Sequence, residues 1–191
     1  MIIMQGWHWN ISADPFLFME DKMGKKSIKE DKNVYFVARE EAGLTRAQAS
    51  ELIGTISESR LEKLETGKTA IVPEDVVDMA LAYKKPELCN YYCTHECRIG
   101  KDTVPEVKNA SLSEIVLGML AALNNLDEQK NRLIDITADG VISDDELPDF
   151  VNIEKQLDLI DSTVESLRIW VASTIADGKI DKTKLQNLRK Q

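Results

Sequence analysis

The chain is short of aromatic residues, proline, glycine and histidine, and each shortage narrows the field. Aromatics make up 6% of the 191 residues, which speaks against a β-rich fold, because strands favour β-branched and aromatic side chains. Ala, Leu, Glu, Asp and Lys dominate, and that balance favours helices. Five prolines and nine glycines leave long stretches without a break. Two histidines, His8 and His95, give little scope for acid–base chemistry near neutral pH. No phosphate-binding glycine loop, nucleophile elbow or two-histidine metal motif occurs, so a protein without enzymatic activity is expected. No apolar run approaches the ~18 residues of a membrane span. The opening MIIMQGWHWNISADPF has no basic region ahead of an apolar core, so it does not read as a secretory signal. Three cysteines, an odd number, then point to reduced thiols and a cytoplasmic protein.

Acid is in excess. The net charge is −9, which argues against broad, non-specific attraction to nucleic acid. The excess is three in residues 1–110 and six in residues 111–191, so any DNA contact belongs to the first part. Residues 1–32 read as an N-terminal extension in which Trp7, Trp9, Phe16 and Phe18 show no helical or strand period. Met23 offers an alternative start, which would make residues 1–22 an upstream extension; the other reading is a genuine N-terminal arm.

From Asn33 the pattern becomes helical. Asn33 caps VYFVAREEA, with Val34, Val37 and Ala38 on one face, and Gly43 ends it. Thr45 caps RAQASELI, closed by Gly54. Ser57 caps ESRLEKLE, closed by Gly67. Pro73 opens EDVVDMALAYK, whose apolar face is Val76, Val77, Met79, Ala80 and Tyr83. Pro86 starts ELCNYYCTHEC, one more short helix. Residues 33–97 thus form a bundle of four to five short helices, and residues 98–110 have the composition of a linker.

LTRAQASELIG followed by ISESRLEKLETGK resembles the Xre-type (lambda-repressor-like) helix-turn-helix family. The matching positions are Leu44, Thr45, Ala49, Leu52, Ile53, Gly54, Ser57, Leu61, Leu64, Glu65, Gly67 and Lys68, with Pro73 and Val76-Val77 in the helix that follows. The resemblance covers about 50 residues. It departs from the pattern in a turn, Gly54 to Ser57, that looks one residue longer, in Arg46 where glutamine is common, and in the mixed charge of Glu58, Arg60, Glu62 and Lys63. It implies a sequence-specific regulator whose second helix enters the major groove of double-stranded DNA. Ser59 and Arg60 would then reach bases, Arg46, Gln48 and Lys68 would hold phosphates, and Ser57 and Lys63 would join the contact. The alternative is a degenerate helix-turn-helix that serves as a protein-interaction adaptor.

All three cysteines fall at Cys89-x3-Cys93-x3-Cys97, with His95 between the last two. On a continuous helix the thiols would share one face. Three thiolates there suit a soft metal: zinc with His95 as a fourth ligand if the helix breaks before it, or an iron–sulfur cluster. Such a site would make the chain a metal or thiol-redox sensor. The other reading is a packed stripe, since free cysteine behaves as a small hydrophobe.

Residues 111–191 read as a long antiparallel helical hairpin that provides self-association. Ser111 and Glu114 form a capping box ahead of IVLGMLAALNNL, in a helix running to about Ile136. Asp139-Gly140 marks the turn, and a second helix runs from about Asp144 to Ala176. Its Ile153, Leu157, Ile160, Val164, Leu167 and Val171 alternate in steps of four and three, a heptad seam whose partner is the first helix, a second copy of the chain, or both. ADGVISDDEL and ADGKIDKTKL form a weak internal repeat. Asp135 to Glu146 fits a calcium-loop template apart from Thr137, and the Asp-Gly turn with Ser143 and Glu146 as a second capping box explains the same residues without an ion. The fold expected is therefore all-α, two-part and homodimeric.

Overall fold

The structure, a computed structural model, describes residues 33–107 and 110–190. The expectations for residues 1–32, including Met23 and His8, lie outside the described residues. Among the described residues all regular structure is helical. The helices are α1 (Val34–Glu41), α2 (Arg46–Ile53), α3 (Glu58–Glu65), α4 (Pro73–Ala82), α5 (Glu87–His95), α6 (Gly100–Thr103), α7 (Leu112–Thr137), α8 (Leu147–Ala176) and α9 (Lys182–Leu188).

The short helices begin and end where local chemistry dictates. Asn33 Oδ1 accepts from the Phe36 N–H, and Asn33 Nδ2 donates to the Leu64 carbonyl at 2.8 Å, so one cap also ties α1 to α3. Thr45 and Gln48 form a reciprocal capping box on α2. Gly43, Gly54 and Gly67 take φ of 71°, 74° and 68° after α1, α2 and α3. A Cβ is costly in that conformation. Around Gly43 the Leu44 N–H reaches the Arg39 carbonyl while Gly43 N–H reaches Glu40, the paired bonds of a Schellman ending.

These helices enclose one core. Ala49, Ile56, Leu61, Leu64, Val76, Met79, Ala80, Tyr83 and Leu88 pack together, with Tyr35 and Ala38 from α1. The face of α1 differs from the sequence expectation: Val37 is exposed at 36%, while Tyr35, Phe36 and Arg39 turn inward. The inward arginine is possible because α3 supplies it with a carboxylate. Helix α4 stops at Ala82 rather than Lys84, and Lys84 takes the left-handed position of its ending with φ 57°. The stretch expected to be a plain linker contains α6, held against α5 so closely that a Cβ on Gly100 would lie 2.3 Å from the Cys93 carbonyl oxygen.

Helices α7 and α8 form the hairpin. α7 starts on the Ser111–Glu114 capping box. α8 starts at Leu147 rather than Asp144: Glu146 turns its carboxylate back to the Ser143 N–H and Oγ, and that turn precedes the helix. The seam also differs from the expectation. Ile115, Ala122 and Ile136 on α7 and Ile153 and Thr163 on α8 are buried, and Ile160 and Leu167 are half-buried. Leu157 is exposed at 47%. The expected heptad residues Ile153, Ile160, Val164, Leu167 and Val171 are thus buried or half-buried, Leu157 is not, and Thr163 joins the buried face. Gly118 faces Thr163, whose Cγ2 would lie 3.4 Å from a Cβ at that position. The repeat has a structural meaning: α7 and α8 end at the same Ala-Asp-Gly sequence, with Gly140 at φ 75° and Gly178 at φ 73°. No helix among the described residues is long and apolar enough to cross a membrane.

Candidate nucleic-acid interface

Helices α2 and α3 meet across the turn Gly54–Ser57. Ile56, 2% exposed, plugs this turn into the core, and Ser50 Oγ donates to its carbonyl at 2.8 Å. Thr55 Oγ1 donates to Asp78 of α4. Ser57 caps α3 by accepting from the Arg60 N–H. The longer turn is thus fixed from both sides, and it leaves the outer face of α3 in solvent.

Of the seven residues expected to contact DNA, Ser57, Ser59, Lys63 and Lys68 are exposed. The other three are partly engaged. Arg60 grips Asp75 of α4 with two bonds, Nη2 to Oδ2 at 2.6 Å and Nε to Oδ1 at 3.3 Å. Arg46 Nε donates to Glu65 Oε2 at 2.8 Å. Gln48 Oε1 accepts from the Thr45 N–H. Each keeps donors to spare. A guanidinium carries five N–H donors, so Arg60 retains three and Arg46 four. The side chains of Arg46 and Arg60 remain 32% and 39% exposed. The carboxylates thus orient the cations without exhausting them.

Beneath this surface lies a charged group that matched the family pattern without a role assigned to it. Glu65, at the last turn of α3, has a side chain only 1% exposed. It receives Arg39 Nε at 2.5 Å and Arg39 Nη2 at 3.0 Å, in addition to Arg46. Arg39 also donates to the Leu44 carbonyl at 2.7 Å, and both guanidiniums lie over the Phe36 ring. One carboxylate therefore locks α1, α2 and α3 together. Arg39 was hidden because its spacing with Tyr35 and Phe36 looks like an ordinary polar position. Asp75 was hidden because an acid in a helix's first turn is explained by the dipole alone.

The three cysteines lie on two different segments. α5 ends at His95, so Cys97 lies beyond the helix that carries Cys89 and Cys93. Cys97 Sγ accepts from the Gly100 N–H at 3.4 Å. Burial pushes the Cys89 thiol up to about 11 and raises Cys93 as well, so both favour the neutral thiol. His95 stacks on Tyr91 with ring centroids 4.3 Å apart and faces Glu106. Among the described residues no group of three or more His, Cys, Asp or Glu side chains is arranged to hold a metal ion. That includes the Asp135–Glu146 loop, where Asp139 accepts from the Val141 N–H and Glu146 from Ser143.

The helix order, the plugged turn and the outward α3 together define a helix-turn-helix unit. Residues 37–87, about a quarter of the chain, match the family model described as a helix-turn-helix domain. This part of the chain is thus similar to a helix-turn-helix domain in sequence as well as in geometry. No curated protein and no solved structure matches the chain.

Proposed function

We propose that the chain is a sequence-specific DNA-binding transcriptional regulator that acts as a homodimer. The observation that carries this reading is the outer face of α3, where Ser59 and Lys63 stand free beside an Arg60 held in place by Asp75. In this reading α3 enters the major groove. Arg60 keeps its bond to Asp75 and offers its remaining N–H donors to a base edge, with its orientation already set before binding. Ser59 and Lys63 read neighbouring edges. Arg46, the Gln48 amide and Lys68 hold phosphates on either side, and Ser57 sits at the helix start where an anion is favoured.

The test is binding to a selected duplex at several salt concentrations. Lys68→Ala should weaken binding evenly across sequences and reduce the salt slope by about one. Ser59→Ala should change which sequences bind while leaving the slope alone. Binding with no salt dependence would contradict phosphate contact and turn attention to protein partners.

A further inference from the structure

The hairpin leaves one of its sides bare and apolar. On α7, Leu112, Val116, Leu120 and Leu123 follow one another at four, four and three residues, about 100° around the helix from the buried seam of Ile115 and Ala122. They are 39%, 42%, 52% and 44% exposed. On α8, Leu157, Val164 and Val171 lie one heptad apart, turned by roughly 55° from the face of Ile153, Ile160 and Thr163. In an antiparallel pair those two rotations point to the same side. The register is fixed by the Asn125–Gln156 and Arg132–Asp149 bonds and by Gly118 against Thr163, so Leu157 comes level with Leu123 and Val164 with Val116. The helix-turn-helix unit lies against the other side. There Ser166, Ile169 and Ser173 line a cleft of about 450 Å³ shared with Glu41, Lys84 and Lys85.

The sequence of α7 adds an independent argument. Residues 115–126, IVLGMLAALNNL, carry no charge. A helix that is apolar all round is normally covered all round, yet α8 covers only one face of this one. The exposed parts of Leu112, Val116, Leu120, Leu123 and Leu157 come to roughly 400 Å² per chain, within the range of about 300–600 Å² for the largest, often functional, patch on a monomer. A stable interface buries about 800 Å² per partner, of which about 60% is apolar. The patch is close to that apolar share.

We infer that this side of the hairpin is the contact between two copies of the chain, which join as a four-helix bundle with Val116, Leu120 and Leu123 near the two-fold axis. A second copy fits because the axis sets uncharged residues against the same uncharged residues. Two chains of net charge −9 then meet through the stretch of α7, residues 115–126, that carries no charge. The inference rests on the dimeric reading above and names its surface. It also places the helix-turn-helix units on the outside of the bundle.

Sedimentation equilibrium of the full chain without DNA tests it. The wild type should be a dimer at micromolar concentration. Leu120→Glu and Val116→Glu should each shift the dissociation constant by at least about tenfold towards monomer, with helix content by circular dichroism unchanged. Leu188→Glu, at a still barer leucine on α9, should leave the dimer intact. A monomeric wild type overturns the inference, and so does a dimer that survives both α7 substitutions. If either variant loses helix content, Leu123→Lys with the same pair of measurements decides. Loss of DNA binding in Lys63→Ala with the dimer intact would bear on the DNA contact alone, and a dimer that binds no DNA would remove the regulator reading without touching the interface.

Discussion

Glu65 is the residue on which the helix-turn-helix unit depends most. It is buried and bonded to two arginines from two other helices. Removing one partner of a buried ion pair costs about 3–5 kcal/mol, because the remaining charge is left without compensation. Glu65→Ala should therefore destabilise the chain by that amount in urea unfolding, and a loss below about 1 kcal/mol would contradict the account. Burial also raises the tyrosines. Tyr83 is pushed up by burial, with its hydroxyl unpartnered, and Tyr35 by burial and by its bond to Glu96. Cys89 rises from 9.0 to about 11. All three groups stay protonated in the folded state at pH values where the unfolded chain releases the proton. Stability is then full below pH 9 and falls as pH rises through 11. A thermal midpoint that declines across that window is expected, and a flat profile would contradict it.

At the scale of elements, the turn between α2 and α3 sets what α3 can reach. Gly54 at φ 74° has open space around it, so only its backbone conformation resists a side chain. Gly54→Ala should cost about 1–2 kcal/mol in thermal or urea unfolding. It should also weaken DNA binding more than Gly118→Ala, which lies in the hairpin. Equal effects on binding would mean that the turn does not position α3. The element boundaries were largely legible, because caps and left-handed glycines are local chemistry: Asn33, Thr45, Ser57 and Ser111 each cap the helix that follows. What was not legible depends on partners distant in sequence. Val37 looked like a core residue until α3 offered Arg39 a carboxylate. Leu157 fitted the heptad but is exposed, and Thr163, outside the heptad, is buried against α7. On the candidate interface, the residue list could be written from the resemblance. The buttressing of Arg46 and Arg60 could not, since Glu65 and Asp75 lie 19 and 15 residues away.

At the scale of the whole molecule, an acidic hairpin carries a helix-turn-helix unit on one side and a bare apolar surface on the other. Two such chains joined through that surface would present two copies of α3, and a two-fold arrangement calls for a site with matching symmetry. The central claim is that α3 reads DNA. Selection of bound fragments from sheared genomic DNA, at low and at higher salt, tests it most directly, with the double variant Arg60→Ala, Lys63→Ala alongside. The account predicts enrichment of a short symmetric sequence by the wild type, weakened by salt and lost in the variant. No enrichment by the folded, dimeric protein under any of these conditions would contradict it and leave the helix-turn-helix unit a scaffold for protein contacts.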